Sequence, residues 1–424
     1  MPTVAFKTLG CKLNQYETEA VRAGVEDAGF CAVPFDGPAD FYVVNTCTVT
    51  HRSDYKSRQL VRRVCRERPD ARVVVTGCYA DLAPEVFTLL GPNVTVVPNS
   101  DKERIPALIA GEAGMPDAAP GRRVTRFAGK TRLFLKVQDG CDHACAYCVV
   151  VVARGPSRSR PAPDVVADVR DAVSAGIKEV VLVGVDLGSY GRDRDGRRSL
   201  ASLLAELSAL PGEFRLRLSS VDVSDFEPAL VREVAAAGRV CPHVHLPLQS
   251  ADDGVLRRMR RRYRAADYRG LCLSLLERVG DVAIGADVIA GLPGEDVAAF
   301  EKTLALVEEI PFAYLHVFPY SPRPGTDAAA MAEQVPPEER ERRAALLREL
   351  AAAKRRSYER RFVGTVRPAL VEERRGGRGG AAVALTDNYL RVPLRDYEGP
   401  GNVFADVKLV DGDGRLTAFV ATQP

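Results

Sequence analysis

Three short β-branched runs open the chain, and each leads into a cysteine. VAFKTL (4–9) precedes Cys11, FYVVNT (41–46) precedes Cys47 and RVVVTG (72–77) precedes Cys78. A helix-length stretch from about Asn14 to Ala28, stopped by Gly29, separates the first two runs. A second, from about Ser53 to Arg68, ends before Pro69. This alternation predicts a parallel sheet with crossover helices, continued by a strand at VTVVP (94–98). Ends of parallel strands share one edge. Cysteines at 11, 47 and 78 are therefore predicted to converge into a three-thiolate site. Free cysteine is also commonly buried as a small hydrophobe. For one strand-end cysteine that bland reading is an equal alternative, but three in matching positions weaken it.

A second cysteine set, Cys141, Cys145 and Cys148, lies in QDGCDHACAYCVVVVARG, directly after the run LFLKVQ (133–138). Three thiolates at C-x3-C-x2-C spacing can bind three irons of a four-iron cluster, which leaves the fourth iron open. Structural zinc normally takes four ligands. His143 is a fourth on paper, but its place between Cys141 and Cys145 makes joint tetrahedral ligation awkward. The chain around this motif repeats a βα rhythm. Further strand candidates are EVVLVG (179–184), FRLRLS (214–219), HVHLPL (243–248), VAIGADVIA (282–290) and AYLHVF (313–318). Helical stretches near 164–175, 199–210, 265–279 and 295–309 fall between them, and a charged helix follows at Pro337–Arg356. Six such units predict a partial (β/α)6 barrel, with chemistry at the strand C-termini. From 357 the pattern becomes short strands with Gly-rich turns, including GGRGG (376–380), which fits a small antiparallel barrel of about five strands. The fold class is thus α/β, with units at 1–120, 130–355 and 357–424. Residues 111–130 read as a linker, with an edge strand around Arg123–Phe127.

The 424 residues suit several domains, and the composition, 46% hydrophobic and 27% charged, excludes global disorder. Ten cysteines are too sparse for a disulfide scaffold. The formal charge of +3 says little about partners. No apolar run is long enough to span a membrane, and MPTVAFKTLGCKLN lacks a signal-peptide core, so a cytoplasmic location with no membrane partner is expected.

The C-x3-C-x2-C motif, with an aromatic before its last cysteine, resembles the radical S-adenosylmethionine signature. GCKLNQYETE (10–19), NTCTVT (45–50) and TGC (76–78) resemble the amino-terminal domain of methylthiotransferases. The likeness continues through ARGPSRSRP (153–161), VGVDLGSYG (183–191), HLPLQSADD (245–253), GADVIAGLPGE (285–295) and HVFPYSPRPGT (316–326). The tail resembles the TRAM barrel of the tRNA-modifying members. GCKLNQYE and NTCTVTHRSD are closest to the MtaB-type branch, which acts on N6-threonylcarbamoyladenosine. The isopentenyladenosine branch typically reads GCQMN here, and the ribosomal-protein branch GCPKN. Two departures are VVVV (149–152), where relatives have a Pro near 151, and Ala251, where a Gly is usual.

The resemblance implies two [4Fe-4S] clusters, one on Cys141, Cys145 and Cys148 and an auxiliary one on Cys11, Cys47 and Cys78. It implies S-adenosylmethionine as cofactor, with Tyr147 near the adenine, Gly184 at the methionine edge, and Gln249, Ser250 and Phe318 nearby. For Gly184 the alternative is a simple tight turn, and for Gln249, Ser250 and Phe318 a purely structural role is an equal alternative. The implied partners are a tRNA anticodon stem-loop, a low-potential electron donor such as flavodoxin or ferredoxin, and a sulfur source. Competing readings are the same chemistry on another tRNA adenosine or a ribosomal protein side chain, or an RNA-binding iron–sulfur electron carrier.

Two basic clusters suit phosphate. One is RRMRRRYR, with Arg257, Arg258, Arg260 and Arg261; its bland reading is a solvated helix face, though it also lies where it could serve the cofactor pocket. The other holds Lys354 and Arg355. In the tail, Tyr389 is read as a base-stacking or a packing residue, beside Arg391. His243, His245 and His316 are read as packing or hydrogen-bonding groups. Cys31, Cys65, Cys241 and Cys272 are read as core or incidental.

Overall fold

The computed structural model describes residues 1–114, 124, 131–194, 199–236, 238–372, 382–412 and 414–421. Five strands build the first unit: β1 (Thr3–Thr8), β2 (Cys31–Val33), β3 (Phe41–Thr46), β4 (Arg72–Gly77) and β5 (Val94–Val96). They run parallel in the order β2-β1-β3-β4-β5. The three strands that lead to cysteines are therefore neighbours, and their C-terminal ends share an edge. The strand β3 is buried throughout and β4 nearly so, as continuous β-branched runs in a covered sheet should be. The sequence expectation lacked β2, because three residues before Pro34 are too few to show a period.

Local chemistry sets the helix starts. Thr50 caps the helix His51–Glu67, its hydroxyl accepting from the Ser53 amide at 3.2 Å. Cys11 holds the same cap position before the helix Lys12–Asp27 but makes no side-chain cap bond. Cys78 opens the short helix Cys78–Leu82. Two of the three thiols thus stand at helix N-termini, where negative charge is favoured.

The second unit contains β6 (Arg132–Lys136), a small antiparallel pair β7 (Gln138–Asp139) and β8 (Arg158–Ser159), then β9 (Glu179–Val183), β10 (Arg215–Leu218), β11 (His243–His245), β12 (Ala283–Ala290) and β13 (Tyr314–Pro319). Two parallel sheets, β10-β9-β6 and β11-β12-β13, are joined where the Cys241 amide donates to Leu216 and Val221 to His245, at 2.8 and 3.0 Å. The result is the expected six-stranded partial barrel, with no pairing between β6 and β13 among the described residues. Its outward residues, such as Leu133, Leu135, Val180, Leu182 and Leu216, form the main core beneath the surrounding helices. One of those helices, Pro228–Ala235, was not expected from sequence; at eight residues it shows little periodicity.

The alternate residues near the strand starts include charged ones. Glu179 accepts from Arg215 and Arg217 at 2.6 and 2.9 Å. The Tyr314 ring lies across Gly285, where any Cβ would come within 2.1 Å of it, and its hydroxyl meets His243 and His245.

The third unit is antiparallel, in the order β16 (Arg391–Pro393), β15 (Val383–Thr386), β14 (Val366–Val371), β17 (Val403–Gly412), β18 (Arg415–Val420). A bond from the Arg395 amide to the Ala418 carbonyl nearly closes it into the expected small barrel. Carbonyls of Leu385, Thr386 and Asp387 accept from Arg215 and Arg217, so this unit caps the N-terminal end of the larger barrel. The GGRGG turn and the expected edge strand, apart from Val124, lie outside the described residues.

Candidate active site

Close chain approach brings the first cysteine set together. A Cβ on Gly10 would sit 2.7 Å from the Cys47 Cβ and 2.9 Å from its sulfur. Gly77 has φ +103°, and a Cβ there would lie 2.2 Å from the Thr46 carbonyl. Asn14 ties the strand ends, its Nδ2 donating to the Leu9 and Thr46 carbonyls at 3.0 Å each. The three thiols act on one another electrostatically: Cys47 feels Cys78 and Cys11, and Cys78 feels Cys11. Burial pushes Cys47 up to about 11 and also raises Cys78.

The second set lies on the loop between β7 and the helix Val150–Arg154. Sulfur atoms here accept hydrogen bonds: Cys141 from the His143 amide at 3.3 Å, Cys148 from the Val150 amide at 3.4 Å, and Cys145 from Arg261 Nη1 at 3.3 Å. Burial pushes Cys141 up to about 12 and Cys148 to about 11. For Cys145 the same burial is outweighed by a His143 hydrogen bond and the Arg261 charge, and its thiol is lowered. The His143 ring lies 3.4 Å from both Asp186 and Asp225. The neighbouring Asp225 carboxylate and Cys145 sulfur raise its pKa to about 10.

The two sets face each other. Cys148 and Cys78 interact electrostatically, and the helix Val150–Arg154 packs on Cys78–Leu82. Arg154 crosses the junction. Its Nε donates to the Cys78 sulfur at 3.2 Å, Nη1 to Glu17 at 2.8 Å and Asp139 at 2.9 Å, and Nη2 to Asn14 at 2.6 Å. Lys102 and Lys136 also pair with Glu17. Burial alone would raise Glu17, but Lys102 and Arg154 outweigh it and hold the carboxyl well below its usual range. Sequence reasoning missed this hub. ARG and NQYE were legible as words, but no spacing links residue 17 to residue 154.

A cavity of about 220 Å³ adjoins the second set. It is lined by Tyr147, Cys148, Gln249, Asp287 and Phe318, and by Val49 and Thr50 from the first unit. Gln249 has φ 63°, and its Oε1 is buried without a hydrogen-bond partner. Arg323, also lining the cavity, uses Nη2 on Thr48 and Asp54 at 2.6 and 2.5 Å, while its buried Nε and Nη1 lack partners. Orphaned donors and acceptors beside an aromatic wall fit a polar cofactor with a planar base, as S-adenosylmethionine is. Of the five residues expected there, Tyr147, Gln249 and Phe318 line the cavity. Gly184 instead packs on Gln138, where a Cβ would come within 2.7 Å of Oε1. Ser250 turns its hydroxyl towards Thr303 at 3.5 Å. Arg323 had no sequence signal beyond its place in PYSPRPGT.

The basic residues divide. Arg257 is exposed. Arg258 pairs with Glu333, and Arg260 with Asp327 at 2.6 Å. Arg261 departs from the RNA role expected of it: its side chain is 6% exposed, paired with Asp222 and bonded to Cys145. Lys354 donates to the Glu308 carbonyl and Arg355 to Glu359 at 2.7 Å. Arg355, Tyr389 and Arg391 line one cleft of about 670 Å³ with Arg132, Tyr314 and His316. Tyr389 takes the packing alternative, its ring stacked on His243 at 4.1 Å beneath Arg217. His245 and His316 share the Asp287 carboxylate at 3.1 and 3.0 Å, in line with hydrogen-bonding roles. Cys241 and Cys272 are buried and Cys65 half-buried, but Cys31 is exposed rather than in a core.

The model of the uncharacterized protein family UPF0004 matches residues 3–98, and that of the radical SAM superfamily matches 135–307. The threonylcarbamoyladenosine tRNA methylthiotransferase MtaB of Thermotoga maritima is 37% identical, covering 88% of this chain and 87% of its own. MtaB of Bacillus subtilis is 36% identical over 97% and 94%. The chain belongs to the radical SAM methylthiotransferase family. A further member, the tRNA-2-methylthio-N(6)-dimethylallyladenosine synthase of Geobacter metallireducens, is 31% identical over 96% and 95%. The fold is shared with the radical S-adenosylmethionine methyltransferase TsrM of Kitasatospora setae, at TM-score 0.57 and 14% identity, over 78% of this chain and 75% of that one. Members of this family use S-adenosylmethionine and [4Fe-4S] clusters, and the thiol sets and cavity described above are chemically suited to both. No helix among the described residues is long and apolar enough to cross a membrane.

Proposed function

We propose that this enzyme methylthiolates C2 of N6-threonylcarbamoyladenosine at position 37 of tRNA. The observation that supports it most is the facing pair of cysteine sets, joined by Arg154 beside one cavity. The C2–H of adenine has no acidic proton, so acid–base groups alone cannot functionalise it, and a radical route answers that difficulty. In this reading Cys141, Cys145 and Cys148 hold the radical-generating cluster, and Cys11, Cys47 and Cys78 the auxiliary one. Tyr147, Gln249 and Phe318 border S-adenosylmethionine, with Gly184 and Ser250 shaping the strand ends behind them. When bound, these groups supply one-electron reduction, hydrogen-atom abstraction and the methylthio group.

The chain's own residues hold and poise them. Arg261 and His143 favour the Cys145 thiolate. Arg154 supplies positive charge to the Cys78 sulfur while locking the first unit to the barrel. Arg323 and Gln249 offer unpaired polar atoms for orientation. The cleft carrying Arg355, Tyr389 and Arg391 borders the anticodon stem-loop, and Arg257, Arg258, Arg260 and Lys354 add positive charge around it. On this reading residues 1–120 carry the auxiliary cluster, 130–355 the radical chemistry and 357–424 the RNA contact. A low-potential donor such as flavodoxin or ferredoxin supplies the electron, and an external sulfur source renews the auxiliary site.

The test is incubation of anaerobically reconstituted enzyme with reductant, S-adenosylmethionine and tRNA, followed by mass analysis of nucleosides. A 2-methylthio derivative of N6-threonylcarbamoyladenosine is expected. A methylthio group appearing only on isopentenyladenosine or only on protein would overturn the substrate. Cluster reduction with no cofactor cleavage would reduce the protein to an electron carrier.

A further inference from the structure

The lower lumen of the partial barrel holds more positive than negative charge. Arg132, Arg215 and Arg217 all lean on Glu179, at 3.5, 2.6 and 2.9 Å, and Arg132 alone of the three also meets Glu372, at 3.5 Å. Into the same region comes Lys12, from the first turn of the helix that packs along β6 at the open side of the barrel. Its charge acts on His243, and it feels Tyr389, Arg132, Arg217 and Glu179. The neighbouring residue, Cys11, is directed to Cys47 and Cys78. One dipeptide therefore presents a thiol to the auxiliary site and an ammonium to the lumen.

Lys12 makes no hydrogen bond or ion pair among the described residues. Other cations near the cavities do. Arg323 is held by Asp54, Arg355 by Glu359 and Arg391 by Glu372. His245 and His316 share Asp287. A half-buried ammonium among arginines is unfavourable unless an anion joins it. C2 and N6 of adenine flank N1 on one edge of the base. A base with C2 turned to the auxiliary site would therefore carry its N6 substituent along the same wall. A threonylcarbamoyl group ends in a carboxylate, whereas an isopentenyl group has no charge to offer.

We propose that Lys12 is a specificity-determining residue, pairing its ammonium with the carboxylate of the substrate's N6-threonylcarbamoyl group. This rests on the function proposed above. Recognition then comes from the wall between the auxiliary site and the lumen, with Tyr314 and Tyr389 as its aromatic floor.

The experiment compares anticodon stem-loops carrying N6-threonylcarbamoyladenosine or its methyl ester, with binding to reconstituted holoenzyme read by fluorescence anisotropy. The wild type is expected to favour the free acid by about 10-fold or more, as a charged hydrogen bond warrants. Lys12→Gln should bring the two RNAs within about 2-fold of each other, by weakening the acid and sparing the ester. Lys12→Arg should restore the preference, which a merely structural role would not do. An acid-to-ester ratio in Lys12→Gln equal to wild type overturns the assignment, as does a wild type with no preference. The two readings fail separately. Wild type that methylthiolates the acid-bearing RNA, with an unchanged ratio in Lys12→Gln, removes only Lys12. Wild type that leaves this RNA unmodified removes the substrate itself.

Discussion

Arg154 donates its Nε–H to the sulfur of Cys78 at 3.2 Å, across the junction between the first unit and the barrel. The same guanidinium fills Glu17, Asp139 and Asn14, and its side chain is 3% exposed. A single residue after the C-x3-C-x2-C loop thus fixes where the first cysteine set sits. Arg154→Met leaves Glu17 with fewer cations in a buried site. Breaking such a pair costs roughly 3–5 kcal/mol. A large fall in the melting temperature of the apoprotein is expected, together with weaker iron retention by the first set. Wild-type melting would show that the hub does not join the units.

Gly77→Ala should damage the first unit as severely. The residue has φ +103°, and the new methyl would meet the Thr46 backbone at 2.2 Å. Strained backbone of this kind costs about 1–3 kcal/mol before the clash is added. Gly176→Ala is the control, because φ is also positive, at +90°, but the added Cβ meets nothing. Denaturant midpoints should fall much further for Gly77→Ala than for Gly176→Ala. Equal losses would mean that strand-end crowding is unimportant.

The thiols predict opposite pH behaviour for the apo and loaded protein. Burial raises Cys141 to about 12 and Cys47 and Cys148 to about 11. An unfolded chain releases these protons near ~8.5. Folded-state values above unfolded ones give stability that is present below pH ~8.5 and lost as pH climbs towards 11 and 12. The apoprotein should therefore lose melting temperature across that window. Iron-bound thiolates carry no proton, so the loaded protein should not show this thiol-linked loss, and should release iron on acidification instead. Identical alkaline profiles for the two forms would contradict the assignment.

Salt dependence tests the proposed RNA role of the cleft. Arg391 lies on its wall, 55% exposed at the side chain and paired with Glu372. If it contacts one phosphate, Arg391→Gln should lower the slope of log affinity against log salt by about 1. Arg261→Gln should act otherwise, by destabilising the Cys145 loop. An unchanged slope for Arg391→Gln would move the RNA path elsewhere.

Much of this arrangement was legible because it is periodic. β1, β3 and β4 are unbroken β-branched runs, and parallel pairing alone aligns their ends, so the convergence of Cys11, Cys47 and Cys78 could be anticipated. The six barrel strands were visible for the same reason. What could not be read were contacts set by tertiary packing. Arg261 sits in a run that looks like a phosphate-binding face, yet the turn after Met259 folds it inward to Asp222 and Cys145. Tyr389 has φ 70°, a conformation no local signal announces, and it stacks on His243. Nor does any local signal announce that a Cβ on Gly184 would meet Gln138 Oε1 at 2.7 Å. The Glu17–Arg154 hub spans two units and has no sequence period at all.

Iron and acid-labile sulfide content after anaerobic reconstitution tests the central claim most directly, measured on wild type and on two triple variants. One replaces Cys11, Cys47 and Cys78 with alanine, and the other Cys141, Cys145 and Cys148. Two independent four-iron sites predict about eight irons per wild-type chain and about four in each variant. A variant that keeps the wild-type iron content, or one that loses all of it while still folded, would contradict two separate cysteine sites.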